Sequence, residues 1–73
     1  MFKPGNLITL QPAISSFLGL NLIQVGTEYT EVSWFERNTI GLFVKISPDD
    51  SNRAICLFGD KLFVAPIKDI QPV

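Results

Sequence analysis

The sequence predicts an all-β chain, most of it curled into a small β-barrel. Three observations carry this. Side chains alternate with period two through most of the stretch from Thr39 to Val73. Turn signals separate the alternating runs, at Ser47-Pro48-Asp49-Asp50-Ser51-Asn52 and at Gly59-Asp60. Prolines at positions 12, 66 and 72 fall where a strand should stop or lie on an edge, since proline donates no ladder hydrogen bond. At 73 residues the chain makes one domain, 1–73. A domain of this size buries only about 60% of its unfolded surface.

Taken in order, Pro4-Gly5-Asn6 is a turn that leads into a strand with Ile8 and Leu10 on one face. Pro12 ends that strand. The stretch Ala13 to Val25 supports two interpretations. Ile14, Phe17, Leu18, Leu22 and Val25 fall at helical spacing, whereas Leu18, Leu20 and Leu22 alternate as in a strand. Gly19 and the pair Ser15-Ser16 favour a loop followed by an extended arm from Leu18 to Val25, with a short helix from Ile14 to Leu20 as the alternative. Gly26-Thr27 is a turn. Tyr29 to Phe35 is a second extended arm, with Thr30, Val32 and Trp34 on one face and Tyr29, Glu31, Ser33 and Phe35 on the other. The two arms form a long hairpin, and Glu36-Arg37-Asn38 leads out of it. From Thr39 to Ile46 the expected interior residues are Ile40, Leu42, Val44 and Ile46, which places Phe43 outward beside Gly41. A polar loop, Ser47 to Asn52, precedes a strand from Arg53 to Phe58. Gly59-Asp60 suits a type II′ hairpin, which requires glycine first. Lys61 to Ala65 pairs back on that strand. Ile67-Lys68-Asp69 is long enough for one 3₁₀ turn, and Ile70 to Val73 closes as a short edge strand.

The order from Thr39 onward, with G-L-F-V-K-I, then A-I-C-L-F, a Gly-Asp turn, K-L-F-V-A and P-I-K-D-I, resembles small SH3-like barrels, including KOW-type and Tudor-like variants. The opening K-P-G-N-L-I-T-L is similar to the first strand of that fold. The resemblance implies a five-stranded SH3-like barrel with a long hairpin-like loop, Gln11 to Asn38, after strand 1 and one 3₁₀ turn before the last strand. In style, a start in K-P-G and an end in P-I-x-D-I resembles small orphan proteins encoded by tailed bacteriophages. The chain lacks the paired tyrosine motif by which proline-rich-peptide-binding members act, having only Tyr29 and Trp34 in that loop. It also lacks the clustered cations of ribosomal KOW domains.

Composition narrows the function classes. Net charge is −1, and the six basic residues are scattered rather than clustered, which argues against a general nucleic-acid binder. The single cysteine, Cys56, forms no intrachain disulfide, and with no histidine in the chain neither it nor Ser15 or Ser16 has a base to activate it. Asp49-Asp50-Ser51-Asn52 lacks the spacing of a calcium loop. Glu28, Glu31 and Glu36 read as a solvated strand face. Gly19, Gly26 and Gly41 make no phosphate loop. No catalytic residues, metal ligands, cofactor or small-molecule substrate are expected. The N-terminus has no signal-peptide pattern, and Ala13 to Val25 is too short and polar to span a membrane, so a reducing cytoplasmic setting is expected (host cytoplasm or virion, were the chain phage-encoded).

The distinctive features are apolar. The chain is 47% hydrophobic and only 18% charged, against about 25% charged in typical domains. A small barrel interior holds few rings. Some of the aromatic residues are therefore expected on the surface as interface anchors, the alternative being that the long hairpin folds over the barrel and buries them itself. The residues expected to bind a partner are Phe17, Leu20, Tyr29, Trp34, Phe35, Phe43 and Phe63. The function expected is a non-enzymatic module that binds another protein or itself, either a phage structural component or a small effector of a host protein. The alternative is a nucleic-acid-binding barrel in which Trp34, Phe35 and Phe43 stack on bases beside Arg37 and Lys45.

Overall fold

The structure is a computed structural model and describes residues 2–26 and 31–73. The expected all-β architecture is observed. Its strands are β1 (Leu7–Leu10), β2 (Gly19–Gln24), β3 (Val32–Glu36), β4 (Ile40–Ser47), β5 (Asp50–Phe58), β6 (Lys61–Pro66) and β7 (Ile70–Pro72). A 3₁₀ turn at Ile67–Asp69 precedes β7, as the sequence predicts. All pairings are antiparallel, in one seven-stranded sheet ordered β3-β2-β6-β5-β4-β1-β7.

This corrects the five-stranded closed barrel. The segment expected as a long hairpin-like loop supplies two strands of the same sheet. Gly19 to Ile23 pair with Val32 to Glu36, and β2 then docks on β6 through Ile23–Val64 and Gln24–Phe63. The sheet stays open, because its outer strands β3 and β7 do not pair with each other. The extended arm is β2, so no helix forms at Ile14 to Leu20. The polar loop Ser47 to Asn52 is also shorter than expected. Ser47 pairs with Asp50, leaving a two-residue turn of Pro48 and Asp49. Proline presets the backbone for such a turn, so the strands continue to its edges. At Gly59, φ is +66°, as the first position of the hairpin turn requires.

The second correction concerns which face of β4 is inside. Gly41 and Phe43 are buried, whereas Ile40 and Ile46 are exposed and Leu42 and Val44 are half-buried. Both faces of β4 carry apolar residues, so alternation alone does not say which points inward. Packing decides it. A Cβ on Gly41 would sit 2.5 Å from the Phe58 ring and 2.7 Å from the Leu57 carbonyl oxygen. The bare backbone of Gly41 is the seat of that ring.

The interior accommodates more rings than a narrow barrel would. Phe35, Phe58 and Phe63 form a cluster with centroids 4.8 to 6.2 Å apart, and Phe2 stacks on Phe43 at 5.5 Å. Small residues make the space: Ala54, Cys56 and Ala65 are fully buried among them, and Cys56 lies in register with both Phe43 and Phe63. Ile8, Leu10, Leu22 and Ile70 complete the core.

Candidate docking surface on the β2–β3 hairpin

Gln11 to Leu18 carries no strand, yet it is held closely. Asp69, buried at the 3₁₀ turn, accepts the Ala13 amide on Oδ1 at 2.8 Å, and its carbonyl accepts the Gln11 amide at 2.8 Å. From the other side Arg37 gathers the loop's carbonyls. Its Nε donates to Phe17 O at 3.0 Å, and its Nη2 donates to Ile14 O at 3.0 Å, Ser15 O at 3.2 Å and Pro12 O at 3.3 Å. Its Nη1 reaches Gln11 Oε1 at 3.4 Å, and Gln11 in turn donates to Asn38 Oδ1. A planar guanidinium with five donors suits such a crowd of acceptors, where a lysine would not. Asn38 adopts φ +73°, which turns the chain out of the hairpin and lets its amide donate to Leu10 O at 2.8 Å.

This scaffold fixes Phe17 and Leu18 beside the hairpin. Leu18 is 80% exposed, and Trp34, on β3, is 55% exposed. Trp34 lies over Gly19, where a Cβ would come within 2.8 Å of the indole and 2.2 Å of the Phe35 carbonyl oxygen. Between them runs a groove of about 400 Å³, lined by Ser16, Phe17, Leu18, Leu20, Asn21 and Trp34. Its walls are mainly apolar, with Glu36 exposed nearby on the same strand. β3 is also an edge strand. The Gln24 amide donates to Glu31 O and the Arg37 amide to Leu18 O. By alternation, the main-chain groups of Val32 and Trp34 face the open edge.

Of the expected partner-binding residues, Phe17, Leu20 and Trp34 lie together at this groove. Leu20 is half-buried and also packs against the core, as does Phe35, which does not line the groove. Phe43 and Phe63 do not project outward as expected: they are 3% and 4% exposed, drawn in by the space that the small residues of β5 and β6 leave. Tyr29 falls outside the described residues. Leu18, Ile14 and Val32 are exposed beside the expected set but were not in it. Val32 was legible, since it shares the Trp34 face; Leu18 was not, because its alternation with Leu20 and the buried Leu22 points it inward, whereas it precedes β2 and stands in solvent.

The chemistry elsewhere is sparse. Burial pushes the Cys56 thiol up from 9.0 to about 11, so it stays protonated at neutral pH. No cluster of metal-ligating side chains occurs among the described residues. A larger depression of about 750 Å³ is lined by Ser51, Asn52, Arg53, Pro66, Ile67 and Lys68, but Arg53 there is paired with Asp50 at 3.4 Å. No helix among the described residues is long and apolar enough to cross a membrane. The fold and site thus define a small all-β protein with an exposed aromatic groove on a hairpin. Compared with known protein families, characterised proteins and solved structures, the chain matches none.

Proposed function

We propose that this is a non-enzymatic protein-interaction or assembly module that docks another protein at the β2–β3 hairpin. The observation that carries this is the Phe17–Leu18–Trp34 groove, held in place by the Arg37 contacts rather than left to collapse onto the core. Pre-organised aromatic anchors around a shallow cleft are the usual form of an interface hot spot. The open β3 edge offers main-chain groups to an extended partner segment. The strand order β7-β1-β4-β5-β6, with a 3₁₀ turn before β7, supports an SH3-like ancestry in which the hairpin is the long loop after the first strand. A phage structural component or a small effector of a host protein remains the setting we favour, on the resemblance in style, with the cytoplasm or the virion as its location.

Nucleic-acid binding has less support. Phe43 is in the core, Phe35 packs against it, and Arg37 spends its donors on carbonyls, which leaves Trp34 without the neighbours a stacking platform uses. The test is paired capture from a host lysate with the wild-type chain and with Trp34→Ala, read by mass spectrometry. A protein enriched by the first and lost with the second supports docking at the groove. Identical captures, with no exposed-hydrophobe dye signal from the free protein, would sink it.

A further inference from the structure

The two outer strands of the sheet differ in what they offer a further strand. β7 is closed. The Gln11 amide donates to Asp69 O and the Val73 amide to Leu7 O, so by alternation Ile70 and Pro72 face outward. The Ile70 amide donates to Ile67 O within the 3₁₀ turn, and Pro72 has no N–H. β3 is open. The bonds from the Arg37 amide to Leu18 O and from the Gln24 amide to Glu31 O turn alternate residues towards β2, so Val32, Trp34 and Glu36 face outward. Glu36 O accepts the Thr39 amide at 3.1 Å and the Thr39 hydroxyl at 2.7 Å. The Glu36 N–H and both main-chain groups of Val32 and of Trp34 have no partner among the described residues. β3 also carries no proline, lysine or bulge, the devices that usually guard an edge.

We infer that β3 takes up an extended, basic segment of a partner protein as a further antiparallel strand. This rests on the reading of the hairpin as a docking surface and names its occupant. The unpartnered groups set the backbone form, since alternate donors and acceptors along an edge are matched by another strand. Charge sets the sequence. Glu31 and Glu36 stand exposed towards the two ends of the edge, and no cation among the described residues pairs with either. Arg37, next in the chain, is turned into the loop and meets only neutral acceptors. A segment with lysine or arginine opposite each glutamate complements this edge. A second copy does not, because pairing two β3 edges gathers the glutamates of both along one seam. A nucleic acid is repelled by the same carboxylates. Between the two cations, the partner residue opposite Trp34 lies in a hydrogen-bonded pair with it, Cα to Cα about 5.5 Å. An aliphatic side chain there packs beside the exposed indole.

The test titrates the peptide acetyl-Thr-Lys-Thr-Leu-Thr-Val-Lys-Thr-amide into isotope-labelled protein at low salt, read by amide NMR. In antiparallel register its lysines face Glu36 and Glu31 and its leucine faces Trp34. The amide signals of Val32, Trp34 and Glu36 should shift and exchange more slowly. Added salt, or glutamates in place of the lysines, should weaken binding. Val32→Pro removes an outward N–H and no bond of the sheet, and should weaken binding about tenfold or more. Should that variant fail to fold, N-methylation of the peptide's leucine removes a donor from the other side, with the same loss expected. No shift at millimolar peptide overturns the inference. So do shifts confined to Phe17, Leu18 and Leu20, and binding that the blocking change leaves intact. A free protein already at twice 8.1 kDa, with protected Val32 and Trp34 amides, also overturns it, because a second copy would then hold the edge. The docking reading fails separately. It falls if capture from lysate is indifferent to Trp34→Ala, whereas Trp34-dependent capture that Val32→Pro retains sinks the edge alone.

Discussion

Replacing Gly19 by alanine tests how the hairpin carries the site. In an unobstructed strand, alanine is favoured over glycine by about 0.5–1 kcal/mol, because it loses less backbone entropy on folding. Gly19 is obstructed. Its Cβ would lie 2.2 Å from the Phe35 carbonyl oxygen, 2.8 Å from the Trp34 indole and 3.0 Å from Glu36 Cα. The nearest obstacle is backbone, so no rotamer change relieves it. β3 must retreat by roughly 1 Å to reach ordinary contact distance, straining the bond from the Arg37 amide to Leu18 O, now 2.7 Å. Overpacking of this kind costs about 1–3 kcal/mol. The net expectation is a loss of about 0.5–2 kcal/mol, or roughly 2–16 °C in Tm for a domain of this size. Urea and thermal unfolding measure the loss, and the Trp34 indole proton resonance should shift in the native state. A stabilised Gly19→Ala, with an unmoved indole signal, would refute the close approach of β2 and β3 on which the groove depends.

Two further predictions follow from single residues. Arg37→Met should weaken capture by the groove more than it lowers stability, because the carbonyls of Pro12, Ile14, Ser15 and Phe17 lose their shared donor while the core is untouched; amide exchange across residues 11–18 should quicken, and unchanged exchange there would contradict the scaffold role. For Cys56 the folded pKa, about 11, lies above the unfolded 9.0, so the folded state holds the proton more tightly. Its contribution to stability is complete below pH 9.0 and is lost as pH rises towards 11. Relative to Cys56→Ala, the wild type should lose stability across that interval, and its thiol should resist an aromatic disulfide reagent at pH 8 until denaturant is added.

The strands were legible wherever local rules act alone. Gly59 needs positive φ for a two-residue hairpin, Pro66-Ile67-Lys68-Asp69 leaves room for one 3₁₀ turn, and Ile8 and Leu10 share a buried face, as alternation requires. Legibility failed where both faces of a strand are apolar. On β4 the choice between Ile40, Leu42, Val44 and Ile46 on one side and Gly41 and Phe43 on the other turned on the Phe58 ring, which is distant in sequence. The role of Arg37 was equally hidden, since its acceptors are main-chain carbonyls that any sequence possesses.

By itself the sequence determined the strand-forming character of the chain, the Gly59-Asp60 hairpin and the 3₁₀ turn, and its scattered charge. Tertiary structure decided how many strands share the sheet, that the sheet stays open, which phenylalanines are spent on the core, and which aromatic and aliphatic side chains are left outside. The physical reason is one of range. Turn chemistry and alternation arise between neighbours in the chain, whereas the inward face of a two-sided apolar strand is set by the volume of residues brought against it from other strands.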